Sequence, residues 1–442
     1  MKVNIVSAMA IKITPFVLMP LMMKSTSNTD FKFYDVAIVS ANCLAVISTL
    51  GMNNAIARFL NESTEGDKIN LLKLTVLITV SLFTLIFVLE SNLKLGNVFF
   101  QANADTVIIY SFCMTVYSIV ATYLRFNFQD KDLLHFSVCN SLAQFLLVYF
   151  LHFGIINIVD FLNLLSLLLL VLNTVYLYKL KAVSFNLRLY EIRRYLAYAV
   201  PFVFLLFGEW ALLFSDRFIM PYLFKSDSLD VYNKIVRFNY LSQSLIFFIS
   251  FIFLPKYYSR FHKSDFDKRW NQLFNYLILF LILFCLICIS IPQHIIHQFG
   301  MDSDSKVFVQ LNVINTLTII IILAVSMSLH LTIEKKSFLL SVLYAFAVSV
   351  FYLLVYLIKY VGWIALPISQ LFAWCLLYFS ISFCTPKSKR LFLSSENFLL
   401  IAFIAISGIF VIDNNMIRVL LLLYVATKIL ISARLPYEFY KI

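Results

Sequence analysis

The sequence is a close succession of apolar segments, each long enough as a helix to cross the hydrocarbon core of a bilayer, which takes about 20 residues. Such segments fall near residues 3–23, 35–57, 74–90, 105–125, 133–153 and 156–178. After a basic stretch come 197–218, 231–254, 272–292, 307–330, 338–358 and 362–384. Two more follow near 397–413 and 415–434, joined by Asp413-Asn414-Asn415. In lipid each backbone polar group must be satisfied within the spanning structure, and continuous apolar runs of this length do so as helices. The chain therefore reads as an all-α polytopic membrane protein of about 14 spans. Its connections are too short to hold a folded domain outside the bilayer.

Composition agrees. Charged residues make up 13% and hydrophobic residues 62%, whereas a soluble domain carries about 25% charged residues. All seven cysteines (Cys43, Cys113, Cys139, Cys285, Cys288, Cys375, Cys384) lie inside apolar segments, where a free thiol behaves as a small hydrophobe. None stands at zinc-ligand spacing beside histidines, and the six histidines form no metal constellation. The opening Met1-Lys2 with its apolar run resembles a leader peptide. The run continues past Ala8 and Ala10 to Met23 and contains Lys12, Pro15 and Pro20, so an uncleaved first span is expected.

The net charge of +12 could point to nucleic acid, but the placement of the cations points elsewhere. With the N-terminus inside, 23 of the 35 lysines and arginines fall at cytoplasmic connections and 7 at the outer ones. That asymmetry is the positive-inside pattern, which anionic lipid heads on the cytoplasmic side assist. It predicts cytoplasmic N- and C-termini and excludes a nucleic-acid partner.

The two halves also resemble each other. The shift that sets Tyr34 on Tyr232 sets Arg58 on Lys256, each pair at the opening and close of the second span of its half. The same shift carries 74–90, 105–125, 133–153 and 156–178 close to the spans found independently in the second half. Six helices per half give parallel repeats related by a pseudo-two-fold axis along the membrane normal, an arrangement frequent in transporters. The expected organisation is an N-terminal six-helix lobe over 1–180 and a cytosolic basic linker over 181–196. A C-terminal six-helix lobe over 197–384 follows, with a basic linker and an additional helix pair over 385–442.

Two stretches carry a family resemblance. Tyr34-Asp-Val-Ala leading to Gly51-Met-Asn-Asn-Ala-Ile-Ala-Arg58-Phe59 resembles the second helix of polysaccharide-unit flippases, with Asp35 in place of the usual glycine. Tyr198-Ala-Val-Pro201, Ser215-Asp216-Arg217 and Val231-Tyr232 resemble the Pro…Asp-Arg…Tyr pattern further along the same family. The family is the polysaccharide branch of the multidrug/oligosaccharidyl-lipid/polysaccharide (MOP) exporter superfamily, which includes the O-antigen (Wzx-type) flippases, and the resemblance covers about 1–384. It implies a MATE-like fold in the bacterial inner membrane. It also implies transfer of an undecaprenyl-diphosphate-linked oligosaccharide, alongside membrane lipids and in association with polysaccharide polymerase and chain-length machinery.

Ionisable residues inside spans are kept mainly where they face protein, water or substrate, which selects the candidates. Glu209, past the middle of its span, is either a proton carrier or the partner of a cation such as Lys12. Lys12, mid-span in the first segment, suits a phosphate-bearing headgroup, since an ammonium acts as a point charge with three donors. Lys234 and Arg237 share a helix face and either hold phosphate and sugar hydroxyls or pair with Asp216 and Asp230. Arg58 is either a receiver of the incoming diphosphate or a helix-end cation. Asp216, beside Arg217 near the outer surface, is expected to tie helix ends together. With no P-loop there is no sign of an ATP site and no cofactor is expected, which leaves a proton or sodium gradient, or consumption of the unit on the far side, as the drive. The closest alternative is a MATE-like multidrug cation exporter, although Lys12, Lys234 and Arg237 suit an anion better. The alternative from another class, an O-antigen polymerase or glycosyltransferase, lacks the large external loop such an enzyme needs, so no enzymatic activity is expected.

Overall fold

The structure, a computed structural model, describes residues 2–12, 14–60, 63–94, 103–180, 189–223, 253–254, 257, 266–289, 305–328, 331, 334, 336–362, 364–386, 390–391, 394–409 and 423–429. Among the described residues every regular element is a helix, and nine helices are long and apolar enough to cross a membrane. The chain is a multi-pass membrane protein.

It divides into two compact units, Met1–Trp210 and Ala211–Ile442. The first contains α1 (Lys2–Lys12), α2 (Thr14–Ser25), α3 (Asn28–Thr49), α4 (Met52–Phe59) and α5 (Glu65–Leu93). It continues with α6 (Ala104–Phe126), α7 (Asp130–His152) and α8 (Ile158–Lys179), and α9 (Leu189–Phe214) runs across the division. The second unit holds α10 (Asp216–Leu223), α11 (Phe266–Ile289), α12 (Ser305–Met327), α13 (Ser337–Ile358), α14 (Ala365–Cys384) and α15 (Ser395–Ile409).

Three helices of the first unit start with the same device. Ser27, Thr64 and Asn157 stand just before α3, α5 and α8, and each side-chain oxygen accepts from the backbone N–H of an aspartate three residues on. The Ser27 and Thr64 hydroxyls also donate to those carboxylates, Asp30 and Asp67, at 2.7 Å. Such caps satisfy N–H groups that a helix leaves unpaired. At the centre of the unit runs α6, 72% buried along its spanning window and packed against α3, α4, α5, α7 and α8. Tyr117 of α6 stacks on Phe136 of α7 with ring centroids 4.5 Å apart, and Asn173 of α8 donates to the Cys113 carbonyl at 2.9 Å. The outer faces stay apolar: Leu85, Leu142, Tyr149 and Leu167 are exposed, as a lipid-facing surface requires.

Four sequence expectations change here. The first span, 3–23, is two helices meeting near Pro15, which stands in the first turn of α2, where its missing N–H costs nothing. The Ser141 hydroxyl of α7 donates to the Ala10 carbonyl at 2.8 Å and accepts from Thr14 at 3.2 Å, so α7 satisfies groups released at the break. The second span, 35–57, is also two helices, interrupted at Leu50 and Gly51. Lys73, assigned to a connection, lies within α5 and is buried, because the Thr64 cap starts the helix well before hydropathy rises. Finally, α9 begins at Leu189, so residues 189–196 of the expected linker are helical. The expected span 231–254, apart from its last two residues, and most of 415–434 lie outside the described residues.

In the second unit α14 packs between α12 and α13, with Trp374 buried and edge-on to Tyr344 at 6.2 Å. The Trp270 indole of α11 donates to the Met327 carbonyl at the end of α12, 3.1 Å away. Asn275 of α11 ties in α15: its Oδ1 accepts from the Ser394 N–H at 2.8 Å and from the Asn397 amide at 3.1 Å. The Asn397 amide also reaches the Asn275 carbonyl at 3.0 Å.

Candidate functional site

The best-defined candidate in the first unit begins at the break in the second span. α3 ends in two successive left-handed residues, Leu50 (φ 46°) and Gly51 (φ 72°), a conformation costing roughly 1–2 kcal/mol per residue for any L-residue with a Cβ. Gly51 is required for a second reason as well. A Cβ there would stand 2.3 Å from the Ala199 carbonyl oxygen and 3.0 Å from the Phe202 Cβ, both on α9. The backbones of the α3–α4 corner and of α9 therefore touch directly.

That corner swings α4 into its own direction, with Met52, Ala55, Ile56, Ala57 and Phe59 buried beneath it. Phe59 packs edge-on to Tyr198 at 5.1 Å and tilted to Tyr195 at 5.4 Å, both early in α9. Two guanidiniums meet the same Phe59 ring: Arg194 of α9 at 4.9 Å and Arg58 of α4 at 6.0 Å from its centroid. Arg58 is half-buried and Arg194 exposed. Beside them the neighbouring helices add cations. The Lys68 ammonium of α5 donates to Asn127 at 3.1 Å, just past the end of α6, where Arg125 lies 4.8 Å from the Phe126 ring centroid. The end of the unit where α4 and α6 stop and α5 and α9 start thus gathers Arg58, Lys68, Lys73, Arg125 and Arg194.

Glu209 lies further along α9, half-buried. Among the described residues it makes no hydrogen bond or ion pair. Its neighbour Trp210 fixes the helix, donating from the indole to the Val39 carbonyl of α3 at 3.0 Å. Lys12 is the last residue of α1, and its side chain lies outside the described set, as do Lys234 and Arg237 altogether. The pairing of Lys12 with Glu209 and of Lys234 and Arg237 with Asp216 therefore lies outside the described geometry.

Asp216 opens α10 directly after Ser215 breaks the run of α9. Its carboxylate accepts from the Arg217 guanidinium at 2.7 Å and from the Arg217 backbone N–H at 3.0 Å, and both side chains are buried. Arg217 also faces the Phe214 ring, 5.6 Å away. Sequence reasoning singled out these two residues but not their burial. It also missed Arg194 as anything beyond a topology charge, although Tyr195-x-x-Tyr198 beside it sets two aromatic rings on one helix face and marks a packed surface.

Residues 1–260 match the model of a family described as polysaccharide biosynthesis protein. The chain belongs to that family. Among solved structures it is similar to a MATE transporter crystallised in complex with MaD3S (13% identity, 91% of this chain and 98% of that one, TM-score 0.58). It is similar also to a Vibrio cholerae MATE transporter (11% identity, 86% and 94% coverage, TM-score 0.55). A third is the outward-facing conformation of a multidrug resistance MATE family transporter of the MOP superfamily (13% identity, 92% and 97% coverage, TM-score 0.54). These likenesses establish a MATE-like fold for this polysaccharide biosynthesis family member. No curated protein sequence matches the chain.

Proposed function

We propose that the chain is a flippase that carries an undecaprenyl-diphosphate-linked oligosaccharide, the repeat unit of an O-antigen or related surface polysaccharide, across the bacterial inner membrane. The observation that carries the reading is membership of a polysaccharide biosynthesis family by a chain with a transporter fold. Two six-helix lobes, 1–180 and 197–384, rock about the site between successive openings to either leaflet. The pair within 385–442 completes 14 spans, and both termini are cytoplasmic. Lys12, Lys234 and Arg237 accompany the charged headgroup through the protein while the polyprenyl tail stays in lipid, and Arg58 receives it on the cytosolic side. Glu209 serves as the proton carrier if a proton gradient drives the cycle. Asp216 holds the junction of α9 and α10, and a polymerase and its chain-length partner consume the unit on the far side.

Deletion in a bacterium of matching surface polysaccharide tests this. The flippase reading requires lipid-linked single units trapped on the cytosolic face. Single units that reach the periplasm unpolymerised would refute it and point to a polymerase.

A second reading, export of cationic drugs, draws support from the fold shared with a multidrug resistance MATE transporter. It predicts that deletion sensitises cells to cationic dyes while leaving surface polysaccharide unchanged.

A further inference from the structure

We propose that Arg58, beside Phe59 on α4, and Arg194, which the Gly51 corner sets against the Phe59 ring, form a paired-guanidinium dock for a lipid-borne diphosphate, where the substrate headgroup is received before it enters the protein. The proposal rests on the flippase reading and adds Arg194 to it, a residue on a different helix from Arg58.

The positive-inside pattern asks only that cations stand in a connection. It does not call for two left-handed residues and a glycine pressed on the α9 backbone, which together aim the last turn of α4 at the first turns of α9. The result is two guanidiniums from separate helices within 6.0 Å of one ring centroid. An aromatic ring attracts a guanidinium to its face, and at 4.9 Å from the Phe59 centroid the Arg194 plane is held against the ring. Arginine's fork matches phosphate oxygens two at a time, which lysine's ammonium cannot do. A diphosphate presents two phosphoryl groups and can occupy both forks, whereas the single phosphate of a bulk phospholipid fills one.

The two guanidiniums also differ in exposure. Arg194 is exposed and Arg58 half-buried, so an arriving headgroup reaches Arg194 first and then bridges to Arg58. Lys68 and Arg125 stand at the start of α5 and the end of α6 on the same side of the unit. Phe59 itself is buried among Tyr195 and Tyr198 and contributes by positioning, not by stacking on a sugar.

The test uses the full chain in nanodiscs of zwitterionic lipid, titrated with undecaprenyl diphosphate, undecaprenyl monophosphate and phosphatidylglycerol. The wild type is expected to bind the diphosphate at least about tenfold more tightly than either single-phosphate lipid. Arg194→Ala and Arg58→Lys are each expected to lose about tenfold or more for the diphosphate, the worth of one charge-assisted contact, and much less for the monophosphate. Arg194→Lys, which keeps the charge, separates fork from charge: binding restored to wild-type strength would overturn the paired-fork dock. So would a wild type that prefers phosphatidylglycerol, or an Arg194→Ala protein that binds the diphosphate unchanged. Transport of a lipid-linked unit in reconstituted vesicles distinguishes the two levels. Unchanged binding by Arg194→Ala with transport intact removes the dock and leaves the flippase, whereas wild-type vesicles that move no unit remove both.

Discussion

Replacing Gly51 by alanine is the sharpest perturbation the fold offers. The new Cβ would stand 2.3 Å from the Ala199 carbonyl oxygen, closer than non-bonded carbon and oxygen atoms can approach. The obstructing atom belongs to the backbone of α9, so no rotamer change relieves it, and either α9 or the α3–α4 corner has to move. The φ of 72° adds left-handed strain of roughly 1–2 kcal/mol, and over-packing of this kind costs about 1–3 kcal/mol. The expected loss is therefore about 2–5 kcal/mol, a large share of the roughly 5–15 kcal/mol that holds a typical domain folded. The assay is the thermal midpoint of the purified protein in detergent beside Gly66→Ala as control. Gly66 has open space around its Cβ position and no left-handed φ, and it sits in the first turn of α5. Alanine there should leave the midpoint level or raise it slightly, through a stabilisation of about 0.4–1 kcal/mol, since it restricts the unfolded chain. If Gly51→Ala and Gly66→Ala melt together, the close contact between the corner and α9 is absent and the argument built on it fails.

Further outcomes follow from the same geometry. Asp216→Ala should destabilise by about 3 kcal/mol or more, because it strips its carboxylate from a buried guanidinium. Lys179→Ala, which breaks the pair with Asp132 where Lys179 is 55% exposed, should cost less than about 1 kcal/mol; equal melting of the two would show that burial does not govern these pairs. Trp210→Phe removes the donor to Val39 and should cost about 1 kcal/mol, in the range of hydrogen bonds between membrane helices, read from the same melts. Asn397→Ala frees both bonds to Asn275 and should raise protease cleavage between α14 and α15; a wild-type cleavage rate would count against this tie. Glu209→Gln and Lys12→Ala should each impair surface polysaccharide with expression unchanged, and normal polysaccharide in both would remove these two residues from the path.

The helices from α6 to α8 were legible because each is a single apolar run closed by polar connections, and hydropathy alone sets such boundaries. The corner at Gly51 was hidden because apolar residues, Met52, Ala55, Ile56 and Ala57, resume directly after it. Its one local signal, an isolated glycine inside a helical pattern, acquires meaning only when α9 is seen against it. Lys73 was misplaced because its boundary was drawn by hydropathy, whereas Thr64-x-x-Asp67 starts the helix. The Asp216–Arg217 contact was unpredictable for a different reason. Successive residues of a continuous helix point apart, so their contact depends on the break at Ser215. Arg194 was concealed by the assumption that a basic stretch between spans is linker; as part of a helix, it acquires a fixed direction.

The length of α5 bears on the membrane itself. Its 29 residues make a rod of about 43 Å, well beyond a hydrocarbon core of about 30 Å. Yet the stretch without a charge, Leu74 to Leu89, covers only about 24 Å. The helix is thus too long as a rod and too short as an apolar one, and much of its second half faces outward. Because Lys73 is buried against protein, that end of the apolar stretch is set by packing, and lipid meets the helix only along its exposed second half.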